Sequence, residues 1–165
     1  DVSDVSDVSP VPEAVPPLER AIQLRPGYAV AHGNLGLAQA RLGHLDEALR
    51  HFAEAARLDP HYPQAEFNWG VALMEARRLA EAVPHFARAV ELEPGAIATR
   101  LLYGRLLASQ GRFSDAAIQF RAAVGLNPGS AEAHLMLAYA LRELGQLGEA
   151  QEHFLAAQQL GGGPR

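Results

Sequence analysis

The chain contains no cysteine in 165 residues. Disulfides and thiolate metal sites are thereby excluded, and the redox compartment stays open. No apolar run approaches the ~18 residues of a membrane span. No basic start followed by an apolar core marks a signal peptide. Membrane insertion is not expected, and the cytoplasm is the expected compartment. A basic footprint is missing too: the formal charge is −5, which argues against nucleic acid and anionic membrane as main partners. Chemistry is equally thin. There is no phosphate-cradling glycine loop, no strand–serine–helix elbow and no histidine–carboxylate grouping beyond what helical surfaces give. The sequence points to no enzyme and no cofactor. It opens on Asp rather than Met, the start expected of a processed form or an excised domain.

What is present is periodic. Proline recurs at an interval of 34 residues, at Pro26, Pro60, Pro94 and Pro128, usually after an acidic or polar residue (Asp59, Glu93, Asn127). A fixed period of about 20–50 residues signals a stacked repeat, since one unit cannot bury its own apolar face. The windows are 29–62, 63–96, 97–130 and 131–160. Within them small residues recur at repeat position 8 (Gly36, Gly70, Gly104, Ala138), position 20 (Ala48, Ala82, Ala116, Ala150) and position 27 (Ala55, Ala89, Ala123, Ala157). Phenylalanine holds position 24 at Phe52, Phe86, Phe120 and Phe154. Positions 20, 24 and 27 form one helical stripe, and large residues against small ones suit close helix packing. Gly43, Gly111 and Gly145 supply left-handed residues at helix ends. Arg77 stands in that place in the second window and predicts a strained or differently closed turn. Pro84 falls inside a second helix and predicts a local adjustment rather than a break.

Both ends read differently from the middle. Residues 13–28 fit the second helix of a partial leading repeat, with Ala14, Leu18, Ala21 and Pro26 in register. Residues 1–12, beginning with Asp-Val-Ser three times, are either a tail or the remnant of a first helix carrying Val2, Val5 and Val8. At the other end, Gln151 and Gln158 replace the apolar residues of earlier windows, a polar face suited to a terminal repeat. Residues 161–165 form a tail, where Gly161-Gly162-Gly163-Pro164 stops the helix and the stack is expected to end.

The small residues at 8, 20 and 27, the aromatic at 24 and the proline at 32 resemble the tetratricopeptide-repeat family over roughly residues 13–160. The resemblance implies an all-α fold, a right-handed α-solenoid of stacked antiparallel helix pairs, and a protein or peptide partner held in a concave groove. The chain departs from the family at position 4, where His32, Glu66, Arg100 and His134 stand in place of the frequent tryptophan, and at Gln39.

First-helix positions 5, 6 and 9 are expected to line the groove: Phe67, Leu101 and Leu135; Asn34 and Asn68; Leu37, Val71, Arg105 and Tyr139. A contiguous apolar face marks a binding site. A side-chain amide donates and accepts at once, so it pairs with peptide backbone of any sequence. The asparagine pair is similar to the ladder in the superhelical repeats of O-GlcNAc transferase. A clamp for a chaperone's C-terminal carboxylate is absent, because Gly33, Leu37, Phe67 and Val71 occupy its positions. Three functions stay open: an interaction scaffold, a regulatory or substrate-presenting domain of a larger enzyme, and a homo-oligomer whose groove holds another copy. His51, His85 and His153 share position 23 and are expected as exposed residues on a solvated face, too far apart to share one metal ion.

Overall fold

Alanine and leucine dominate the windows and favour helix. The computed structural model describes residues 11–161, so the alternatives for residues 1–10 and the tail beyond residue 161 lie outside the described residues. Among the described residues there are nine helices and no strand: α1 Val11–Leu24, α2 Ala29–Arg41, α3 Leu45–Leu58, α4 Pro63–Glu75, α5 Leu79–Leu92, α6 Ile97–Ser109, α7 Phe113–Leu126, α8 Ala131–Glu143 and α9 Leu147–Gly161. The chain divides into two compact units, one through Leu92 and one from Glu93. In the first, α2 pairs with α3 and α4 with α5, while α1 packs on α2 and α3 on α4. In the second, α6 pairs with α7 and α8 with α9, and α7 packs on α8.

Each first helix closes through the same turn. The amide of Gly43 bonds the Ala40 carbonyl at 2.9 Å and that of His44 bonds the Gln39 carbonyl at 2.9 Å. Closing both bonds requires a left-handed residue at the position of Gly43. Gly43, Gly111 and Gly145 have φ of 82°, 74° and 75°, and Arg77 takes the same place at φ 61°. Its amide reaches the Met74 carbonyl at 3.0 Å, so the turn keeps its bonds and takes on the strain. Second helices end otherwise. Asp59 and Asn127 precede proline and are pushed out of the helical region. Their side-chain oxygens then accept from the amides of His61 and Gly129 at 2.9 and 3.1 Å.

The core repeats with the windows. Phe52, Phe86 and Phe120 are fully or nearly fully buried, and Ala48, Ala55, Ala82, Ala116 and Ala123 show no exposed surface. In the first unit Ala48, Phe52 and Ala72 form a cluster flanked by Leu37, Leu49 and Trp69. The glycine at position 8 makes this possible: a Cβ at Gly70 would lie 2.8 Å from the Phe86 ring. In the last window Ala138 occupies that position and Phe154 is only half-buried, its ring edge-on to Tyr139 at 5.2 Å. Pro84 sits within α5, which continues through it. Gln39 is buried, and its side-chain oxygen accepts from His44 Nδ1 at 2.8 Å, so the polar residue in an apolar stripe is satisfied from the turn beside it.

Candidate functional site

The first unit has two hollows that share a wall. One, of about 530 Å³, lies between α1 and α2 and is lined by Ala14, Pro17, Leu18, Asn34, Leu37 and Arg41, among others. The second, of about 180 Å³, lies between α2 and α4, with Leu37, Arg41, Asn68, Val71 and Glu75 above Phe52 and Ala72. Leu37 and Arg41 belong to both. Of the residues expected from sequence, Leu37, Asn68 and Val71 line the smaller hollow, while Asn34 lines the larger one, which shares Leu37 with it. Asn34 is exposed and Asn68 half-buried. Among the described residues neither amide has a protein hydrogen-bond partner, so both are free to meet a ligand. Arg41 is exposed and unpaired as well, flanked by Glu13 in the larger hollow and Glu75 in the smaller one.

Phe67 also lies on α4, half-buried, with its ring edge-on to Phe86 at 5.8 Å between centroids. Part of its surface is therefore already used by the core. The other expected residues belong to the second unit. Leu101 is buried at 9% exposure and presents little surface. Arg105 is exposed and unpaired among the described residues. Leu135 lines a hollow of about 370 Å³ with Ala131, Phe154 and Ala157. Tyr139 is 42% exposed, with the Arg142 guanidinium 5.1 Å from its ring centre. Sequence reasoning counted Arg41 among the basic residues of the groove but left Glu75 out of it. Both hold repeat position 13, one turn beyond the stripe that was traced, and that spacing was the available signal.

A second constellation overturns the solvated-face expectation for the histidines. In every window the residue at position 4 reaches the residue at position 23 on the paired helix. His32 Nδ1 lies 3.2 Å from His51 Nδ1, and His134 Nδ1 lies 2.8 Å from His153 Nδ1. His85 Nδ1 meets the Glu66 carboxylate at 2.8 Å and its ring stacks on Trp69 at 3.9 Å. Arg100 donates to the Gln119 amide oxygen at 3.1 Å. Three of the position-4 residues also bond the proline carbonyl that precedes their helix: His32 to Pro26 at 3.1 Å, Arg100 to Pro94 at 2.8 Å, His134 to Pro128 at 3.0 Å. Glu66 has no proton to offer, and Arg88 supplies the bond to Pro60 instead, at 3.1 Å. The tryptophan missing from position 4 is replaced by a polar cross-helix contact. Among the described residues no group of three potential ligands could hold a metal ion, and no helix is long and apolar enough to cross a membrane.

These pairs, turns and small–aromatic contacts define an all-α fold of stacked helix pairs, a solenoid-class architecture. The chain belongs to the tetratricopeptide-repeat family, which it matches over residues 11–63, 34–97, 67–131 and 101–164. That family is one of protein-interaction scaffolds, generally without enzymatic activity. In fold the chain is similar to a crystal structure of MamA, at 18% identity and TM-score 0.84 over 98% of this chain and 96% of that one. It is similar also to MamA from Desulfovibrio magneticus RS-1, taken from residue 41 onward, at 21% identity and TM-score 0.79 over 92% and 85%. YrrB, described as a TPR protein with an unusual peptide-binding site, aligns at 24% identity and TM-score 0.79 over 94% and 80%. No curated protein is significantly similar to the chain in sequence.

Proposed function

We infer that the groove between α2 and α4 binds an extended segment of a partner protein. The observation that carries this reading is the pair Asn34 and Asn68, two unpartnered amides at the same place in successive repeats, beside Leu37 and Val71. Helices in contact lie about 8–10 Å apart. An extended chain covers about 10 Å in three residues. The two amides therefore meet backbone groups about three residues apart, and Leu37 and Val71 receive the apolar side chain between them. Arg41 takes a carboxylate from the partner. Phe67 borders the same groove. Leu135 and Tyr139, with Arg105, offer a separate contact surface on the second unit, while Leu101 contributes packing beneath it.

A displayed library of extended peptides should enrich binders against the intact chain. The double substitution Asn34→Ala and Asn68→Ala should weaken a selected peptide roughly tenfold, since each bond is worth about 0.5–1.5 kcal/mol. Leu37→Glu should abolish binding while circular dichroism stays helical. Peptides that bind all three variants as well as the unchanged chain would remove the groove from consideration. A second reading, association with another copy, draws on Leu147, Leu155 and Leu160, which stand exposed on α9. Light scattering over a concentration series checks it, and a strictly monomeric species at high concentration would exclude it.

A further inference from the structure

The two histidine pairs have their tautomers fixed by what surrounds them. A carbonyl oxygen only accepts, so the 3.1 Å contact from His32 Nε2 to Pro26 requires the proton on Nε2. A neutral imidazole carries a single N–H, which leaves His32 Nδ1 bare. The 3.2 Å contact between the two Nδ1 atoms then requires the proton on His51 Nδ1. The same argument runs from Pro128 through His134 to His153 at 3.0 and 2.8 Å. In each pair one imidazole nitrogen is left with a lone pair, Nε2 of His51 or of His153. A first proton can settle there without disturbing the contact. A second has to go onto Nδ1 of His32 or His134, where it confronts an N–H already pointing at it. The hydrogen bond is then lost and two imidazolium rings repel across it.

We propose that His32–His51 and His134–His153 are acid-released latches, each closed with no proton or one added and opened by the second. Their positions decide what opens. His32 joins α2 both to Pro26, beyond the end of α1, and to α3. His134 joins α8 both to Pro128, beyond the end of α7, and to α9. The intervening windows are built differently. In the third window Arg100 donates to the Gln119 amide oxygen, and in the second His85 Nδ1 meets the Glu66 carboxylate.

The charged groups around the pairs act in both directions, and Glu54 on α3 also faces His32. Burial first, then the facing His32 on α2 and Arg50 on the same helix, hold the His51 pKa below its ordinary value, against Glu47 on α3 and Glu19 on α1. For His153 burial again leads, followed by His134 on α8, with Arg121 on α7 acting the same way and Glu149 and Glu152 opposing. Glu149 lies 3.9 Å from His153 Nε2, close to the site of the first proton. A histidine whose folded pKa lies below the unfolded value of about 6.5 gives stability that is complete above that pH. It is lost as the pH falls through the folded value, because there the unfolded chain binds more protons.

The chain itself supplies the acid-resistant substitute, the arginine–glutamine pair of the third window. The variant H32R/H51Q/H134R/H153Q should keep the helical spectrum. The fall in its melting temperature between about pH 7.5 and about pH 5 should be less than half that of the unchanged chain. His61→Asn, outside both pairs, should leave the fall as it was. Nitrogen NMR of the unchanged chain should show His32 and His134 protonated at Nε2, His51 and His153 at Nδ1, and two separated titration steps for each pair. Four imidazoles titrating singly and independently would overturn the latch, and so would an unchanged acid dependence in the quadruple variant.

Discussion

Glycine at position 8 is tolerated in the middle of a helix because a phenylalanine occupies its missing side chain. The cost of glycine in a helix is about 1 kcal/mol. A Cβ at Gly70 would meet three Phe86 ring atoms at 2.8 to 3.0 Å, and one at Gly104 would meet Phe120 at 2.5 Å. Gly70→Ala should therefore lower stability by about 1 kcal/mol or more, overpacking outweighing the propensity gain. Gly125 lies in α7 with nothing within 4 Å of a built Cβ. Gly125→Ala should raise stability by up to about 1 kcal/mol. Urea unfolding of the two variants checks the pair, and equal signs would show that the glycine–phenylalanine contact is not what sets the spacing of α4 and α5. This small–large matching was legible in the sequence because it is a property of composition at fixed positions. The histidine pairs were not. Positions 4 and 23 are 19 residues apart and neither is apolar, so no periodicity joins them. What could have joined them is the pairing of residue types across windows, His with His, Glu with His, Arg with Gln.

At the scale of the helix, two residues work against the element that holds them. Arg77 takes φ 61° where the other three turns have glycine. No ion pair or hydrogen bond of its side chain compensates among the described residues. Arg77→Gly should stabilise by about 0.5–1 kcal/mol, the relief of left-handed strain less the added freedom of the unfolded chain. Pro84 is the sixth residue of α5 and removes the amide that would bond the Ala80 carbonyl. Pro84→Ala should stabilise by about 1–3 kcal/mol, measured as a raised urea midpoint at constant slope. A loss at either position would mean that the turn or the proline is supported by contacts other than those seen. Both features were readable in advance, since glycine and proline act on the local backbone alone. Gln39 was readable only as an anomaly, because its partner His44 lies in the turn rather than on the stripe.

The whole molecule is stabilised by neighbours, each helix depending on those it touches. Within the first unit α3 packs on both α2 and α4 and carries Ala48, Phe52 and Ala55 with no exposed surface. α1 packs on α2, and Ala14, Val15, Leu18, Ala21 and Ile22 are all only half-buried. Among the described residues its other side lines the 530 Å³ hollow, at the place where, in the complete windows, a first helix covers the second. Pro16 and Pro17 remove two further amides from its ladder. The groove proposed for the partner is walled by α2 and α4, whereas the larger hollow has α1, held mainly through α2, as one wall. Amide exchange should be fastest in α1 among the helices of this unit, and slowest in the buried turns of α3. Opening free energies fall toward the least-packed element. A peptide seated between α2 and α4 should slow exchange in both of those helices while leaving α1 nearly unchanged. Protection that instead rises chiefly in α1 would place the ligand in the larger hollow, against Ala14 and Leu18. That outcome would reassign Asn34 from a backbone reader of the α2–α4 groove to the rim of the site at α1.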